Sequence, residues 1–163
     1  MLQNNSVRIH ENWPHFYIVG AAKAGSTWLY TQLAQQTDIY MSPVKEPHIF
    51  TSLPDVIKAI IYSKPIRDQQ AYLQLFSASK VNQIRGEASP SYLWCAESPL
   101  RIRNVNPEAK AIILLRDPVK RAFSHYLMDI TANRQQNSFY EALQEDYQHP
   151  QNGWFVSHLY IEL

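Results

Sequence analysis

A chain of 163 residues, 45% hydrophobic and 18% charged, has the composition of a globular protein and is long enough for a single domain spanning 1–163 with its own core. Its formal charge of +1 excludes a field strong enough to gather nucleic acid. The lone Cys95 excludes an internal disulfide, the polar start Met1 to His10 lacks the apolar stretch of a signal peptide, and the run Ala111 to Leu115 is too short to span a membrane. The expected setting is therefore reducing and cytoplasmic.

In chain order, Phe16 to Gly20 is a run of β-favouring residues closed by glycine, which predicts a buried strand. A turn at Ala21 to Gly25 leads into a helix over Ser26 to Gln36, with Trp28, Leu29 and Leu33 on adjoining faces. A short strand is expected at Ile39 to Met41, followed by a loop from Ser42 to His48 whose two prolines oppose regular structure. Asp55 to Ser77 reads as helical pieces broken near Pro65, Val81 to Gly86 as a strand, and Glu97 to Asn104 as a helix that Pro107 terminates. A second apolar strand covers Lys110 to Leu115. Pro118 then suits a first helical turn, and Val119, Phe123, Tyr126, Leu127 and Ile130 keep the helical period. Phe139 to Tyr147 and Phe155 to Leu163 read as further helices. Strands alternating with helices predict an α/β fold of three layers, a mainly parallel sheet flanked by helices.

The first strand-to-helix turn carries a candidate anion site. Gly20-Ala21-Ala22-Lys23-Ala24-Gly25-Ser26-Thr27-Trp28 places a lysine inside the loop, a glycine before the helix and two hydroxyl residues at its start. Amides at a helix N-terminus point outward unpaired and attract phosphate oxygens, and glycine lets the backbone approach closely. An ordinary nucleoside-triphosphate loop has its lysine directly after the second glycine. Ser26 holds that position here, which disfavours a magnesium-dependent triphosphatase.

Ala22 to Trp28 resembles the Pro-Lys-Ser-Gly-Thr-Thr-Trp loop of sulfotransferases that use 3'-phosphoadenosine 5'-phosphosulfate, with Ala22 and Ala24 replacing the proline and first serine. Leu114 to Tyr126 resembles that family's second signature, in which an arginine at a strand end and a serine on the next helix grip the 3'-phosphate. The resemblance implies a P-loop, nucleotide-kinase-like fold and donor contacts from Ala22, Lys23, Ala24, Gly25, Ser26, Thr27, Trp28, Arg116 and Ser124. Guanidinium is a good bidentate phosphate ligand, and a helix serine can turn its hydroxyl to the same anion. Arg121 is either structural or an electrostatic helper.

Lys45-Glu46-Pro47-His48-Ile49-Phe50 resembles the Lys-Glu-x-His-Phe-Phe stretch of glycosaminoglycan-type and related bacterial sulfotransferases, where the glutamate is the general base. That implies Glu46 as base, His48 lining the acceptor site or orienting Glu46, and Lys23 stabilising the leaving phosphate. Gly86 to Leu93 resembles the segment Gly-Glu-Lys-Thr-Pro-x-Tyr beside the acceptor cleft, with Ala88 in place of the lysine, which disfavours a strongly anionic polysaccharide. Ser89, Tyr92 and Trp94 are candidates for a pocket wall, or for plain core. His10, His15, His125, His149 and His158 show no metal-ligand spacing with one another or with Cys95, so no metal is expected. The resemblance implies a further C-terminal portion. The domain is then expected to be C-terminally incomplete, as a fragment, a shortened member or one half of a fold that a second copy or complementing chain finishes. The expected reaction moves a sulfuryl group to a hydroxyl or amine of a small-molecule or saccharide acceptor and releases 3'-phosphoadenosine 5'-phosphate. The alternatives are a P-loop nucleotide kinase-like phosphotransferase and a non-catalytic nucleotide-binding fragment.

Overall fold

The computed structural model describes residues 12–52 and 65–148. Four parallel strands form one sheet in the order β2-β3-β1-β4, where β1 is Phe16–Gly20, β2 Ile39–Met41, β3 Ile84–Ala88 and β4 Lys110–Ile113. Parallel neighbours need crossovers, and helices supply three of them: α1 (Ser26–Ala34) follows β1, α2 (Gln69–Gln74) lies between β2 and β3, and α3 (Ser98–Val105) precedes β4. Two more helices follow the sheet, α4 (Pro118–Thr131) and α5 (Phe139–Gln148).

All five residues of β1 are buried, as a central strand covered on both faces requires. Alternation divides them. Phe16 and Ile18 join Met41 and Ala88 beneath Leu29 and Leu33 of α1, whereas Tyr17 and Val19 face an aromatic layer of Trp13, Phe50, Tyr72, Phe76 and Tyr92. Leu29 and Leu33 therefore serve as the helix's core contacts, but Trp28 is 68% exposed and takes no part. Ile18 is wholly inaccessible, so Ile18→Ala should cost about 2–5 kcal/mol.

The third strand begins and ends later than its sequence suggests. Val81 is 97% exposed, and pairing starts only where Ile84 meets Ile39. Gly86 does not end the strand, because it is there for packing: a Cβ would lie 2.1 Å from the Phe16 ring. The strand runs on through Glu87 and Ala88, which pair with Tyr17 and Ile18.

Local signals set the helix starts. The Asp68 carboxylate accepts the Ala71 amide at 2.7 Å to cap α2, and Asp117 accepts the Lys120 amide at 2.8 Å to cap α4, with Pro118 in its first turn. On α4 the burial is reversed from the apolar periodicity. Val119, Phe123, Leu127 and Ile130 are 38–66% exposed among the described residues, while Arg121, Ala122, His125 and Asp129 are buried. The helix turns that polar face to the phosphate loop and α5: Lys23 reaches Met128, and Ala122 packs with Ala142. Of the helical pieces expected over 55–77, the part up to 64 lies outside the described residues, as does the helix expected over 155–163.

Candidate active site

Parallel α/β sheets place their sites outside the carboxyl ends of the strands. The three candidate segments converge there: the loop after β1, the 45–48 turn hung on the end of β3, and Arg116 just beyond β4.

The phosphate loop is tied down at its start. Leu114 donates its amide to the Gly20 carbonyl at 2.7 Å, and Ala21 donates to the Leu114 carbonyl at 2.9 Å. Lys23 takes a left-handed backbone with φ 65°, and Gly25, at φ 104°, caps α1. A Cβ at Gly25 would meet nothing within 4 Å, so the backbone there faces open space. The ladder of α1 begins with Leu29 donating to Gly25 at 3.0 Å, which leaves the amides of the preceding turn without a carbonyl behind them. Ser26 is buried, Thr27 and Trp28 are exposed, and Ala22, Lys23 and Ala24 are half-buried.

The two signatures meet in space. Arg116 donates from Nη1 to the Lys23 carbonyl at 2.9 Å, pinning the phosphate loop from the neighbouring strand. The Lys23 ammonium lies 3.7 Å from the Met128 sulfur on α4, and Ser124 is half-buried on that helix. Arg121 is wholly buried, and it takes part in an unexpected electrostatic effect. Burial first, then the charges of Arg121, Lys23 and Arg134, push the His125 imidazole down to about 3. The ring is neutral at physiological pH, first because it is buried and then because this corner is rich in cations. Arg134 and Asp129 form an ion pair at 2.5 Å beneath it.

The second half of the site is a turn with two left-handed residues, Glu46 (φ 61°) and His48 (φ 52°). Glu46 donates its amide to the Ala88 carbonyl at 3.0 Å, and His48 donates its amide to the Ser89 hydroxyl at 3.2 Å. Lys45 is hydrogen-bonded and ion-paired to Glu46 Oε1. His48 Nε2 is buried without a hydrogen bond of good geometry and stands 3.4 Å from Glu46 Oε2, an electrostatic contact. Burial pushes the Glu46 carboxyl up, but the His48 and Lys45 contacts outweigh it and hold the group below its ordinary value. Glu46 is thus an anion at neutral pH. Of the two roles expected for His48, burial to 2% exposure favours orienting Glu46 over lining an open cleft.

Ser89 and Tyr92 are core groups rather than pocket walls, at 0% and 1% exposure. Ala88 is also fully buried, packed with Phe16, Ile18 and Met41. Its methyl group is thus part of the core under α1. Sequence reasoning passed over Glu87, which is completely buried and bonded by Ser89, Tyr72 and Tyr92. The sequence carried no signal for it, because the expected strand stopped at Gly86 and a buried strand glutamate is a placement carboxylates seldom take. Among the described residues no group of three or more His, Cys, Asp or Glu converges as a metal site, and no helix is long and apolar enough to cross a membrane.

The sulfotransferase domain model matches residues 13–160. The chain belongs to that family. It is 32% identical to carbohydrate sulfotransferase 15 of Mus musculus, in an alignment covering 81% of this chain and 30% of that protein. It is 31% identical to heparan sulfate glucosamine 3-O-sulfotransferase 6 of the same organism, over 73% of this chain and 31% of that protein. The crystal structure of a sulfotransferase from Alicyclobacillus acidocaldarius superposes with a TM-score of 0.76 at 35% identity, covering 91% of this chain and 63% of that one. The chain thus spans about a third of the curated relatives named here and under two thirds of the solved structure. The expected parallel α/β sulfotransferase fold is borne out.

Proposed function

We propose that this sulfotransferase-family chain binds 3'-phosphoadenosine 5'-phosphosulfate and, in the whole protein, transfers its sulfuryl group to an acceptor hydroxyl or amine, with Glu46 as general base. The observation that carries the reading is the junction of the two donor signatures: Arg116 holds the Lys23 carbonyl, beside a loop whose backbone at Gly25 opens onto free space. That cradle fits an anionic nucleotide. The first-turn amides of α1, the Lys23 ammonium and the Thr27 hydroxyl would hold the 5'-phosphate side, and Arg116 with Ser124 the 3'-phosphate.

The donor supplies a sulfuryl group on an acid-anhydride oxygen, a good leaving group once its charge is neutralised. The chain's own residues do the rest. Glu46, held ionised, accepts the acceptor's proton as the new oxygen–sulfur or nitrogen–sulfur bond forms. His48 and Lys45 keep the Glu46 oxygens in place, and Lys23 neutralises the negative charge left on the departing phosphate. The relatives named for carbohydrate acceptors support a saccharide hydroxyl as the acceptor class.

A single-turnover assay with sulfur-labelled donor tests this, using a saccharide acceptor and a matched set of unmodified and Glu46→Gln protein. The label should move to acceptor only with Glu46 present. Equal transfer by both would remove Glu46 from the chemistry.

A further inference from the structure

Glu87 is the most deeply placed carboxyl among the described residues. It is 0% exposed, sits opposite Tyr17 in the parallel register of β3 with β1, and borders the aromatic layer. No ion pair with a described lysine, arginine or histidine compensates it. Three hydroxyl groups do: Oε2 accepts from Tyr72 at 2.6 Å and Tyr92 at 3.1 Å, and Oε1 accepts from Ser89 at 2.5 Å. A buried ionisable group satisfied only by neutral donors is costly compared with an apolar residue of the same volume. Stability alone does not account for it.

Its hydrogen bonds lead to the acid–base turn. Ser89 gives its hydrogen to Glu87, which leaves the Ser89 oxygen to accept the His48 amide at 3.2 Å. One residue earlier on the same strand, the Ala88 carbonyl accepts the Glu46 amide at 3.0 Å. Two residues beyond Ser89, Ser91 bonds His48 Nδ1 at 2.7 Å and Thr51 at 2.8 Å. Residues 88–91 thus clamp a turn whose two left-handed, non-glycine residues are strained without such support.

We propose that Glu87 is a positioning residue for Glu46: its carboxylate fixes the Ser89 hydroxyl as acceptor for the His48 amide, and so holds the turn that aims the Glu46 carboxylate. The inference rests on Glu46 being the base. A proton on Oε1 would reverse the Ser89 bond, since the acid must then donate where it had accepted, and the Ser89 oxygen would take a second donor in competition with His48. The groups facing Glu87 are Tyr17 from β1, Tyr72 from α2, Tyr92 from the 3₁₀ turn Pro90–Leu93, and Glu46 from the loop. All three phenols are raised above their ordinary value, chiefly by burial and then by the Glu87 charge, so they stay protonated. Burial, outweighing the three hydroxyl bonds and with Glu46's charge adding to it, pushes Glu87 itself up to about 7. Glu87 is the member of this group that changes state near neutrality.

The test needs no turnover. The 163-residue chain, labelled with carbon-13 at the glutamate carboxyls and uniformly with nitrogen-15, is titrated by NMR across neutrality as wild type, Glu87→Gln and Ser89→Ala. In the wild type, the His48 amide and Glu46 carboxyl resonances should shift in step with Glu87. Ser89→Ala keeps Glu87 but should abolish the His48 response and lower that amide's exchange protection about tenfold, the equivalent of one lost hydrogen bond. Glu87→Gln should leave Glu46 with a single titration at low pH. Purely through-space coupling predicts a Glu46 response that survives in Ser89→Ala with His48 unmoved in every protein, and that result overturns the proposal. If Glu87→Gln fails to fold, the wild-type and Ser89→Ala titrations still decide it. Activity of Glu46→Gln would defeat the base assignment while leaving the coupling intact; inactive Glu46→Gln with no coupling would defeat the positioning role alone.

Discussion

The two halves of the sheet's carboxyl edge solve opposite problems. The β1–β4 half is open and cationic: Gly25 faces free space, Lys23 and Arg116 bring charge, and His125 is kept neutral by its burial and then by the cations around it. The β3 half is closed: Glu46 is already bonded, His48, Ser89 and Ser91 are buried, and Glu87 lies beneath them with every hydrogen bond supplied from inside. In the function proposed above, binding falls to backbone amides and charge and the aiming of Glu46 to a buried network, because a carboxylate that wanders loses the benefit of proximity.

That division can be broken from either side. The largest effect falls on transfer: Glu46→Gln should lower single-turnover transfer by about 10²–10⁴-fold, yet leave affinity for 3'-phosphoadenosine 5'-phosphate unchanged by calorimetry. Next is the pH dependence of stability. Glu87 has a folded-state value of about 7 against an ordinary 4.5, so its favourable contribution is complete below 4.5 and is lost as pH rises through 7. Urea unfolding should show the wild type losing on the order of 3 kcal/mol more than Glu87→Gln between those limits. On the open side, Lys23→Ala and Arg116→Ala should each weaken bisphosphate binding by about 1.5–3 kcal/mol without altering the Glu46 carboxyl resonance. The smallest effect is at the α4 cap, where Asp117→Ala should cost about 1 kcal/mol in urea unfolding and leave the β3 half untouched.

The loop of the open half was legible in the sequence because it is contiguous, whereas Arg116 joins it from 93 residues away. A strand, a glycine, a lysine and a helix start are local, and their order dictates outward-pointing amides. The strand at Phe16–Gly20 and the short one at Ile39–Met41 have the expected bounds for the same reason. The closed half joins residues distant in sequence: His48 to Ser89 and Ser91, Tyr72 to Glu87. No local pattern distinguishes Glu87 from a solvated strand-end glutamate until β3 is known to run through it beside β1. Gly86 misled in the same way, since a glycine that ends a strand and one that admits the Phe16 ring read alike. On α4, periodicity located the helix but not its buried face, because Arg121 and His125 are drawn inward by tertiary contacts that outweigh their polarity.

In the proposed function the open half is a two-phosphate nucleotide site rather than a triphosphate loop, with Lys23 inside the loop and Arg116 joined to it. Calorimetric titration of the 163-residue chain with 3'-phosphoadenosine 5'-phosphate, in parallel with ATP and magnesium, tests it most directly. The bisphosphate should bind saturably, more tightly than ATP with magnesium, and Lys23→Ala should weaken it. Absence of bisphosphate binding, or tighter binding of ATP with magnesium, would contradict it.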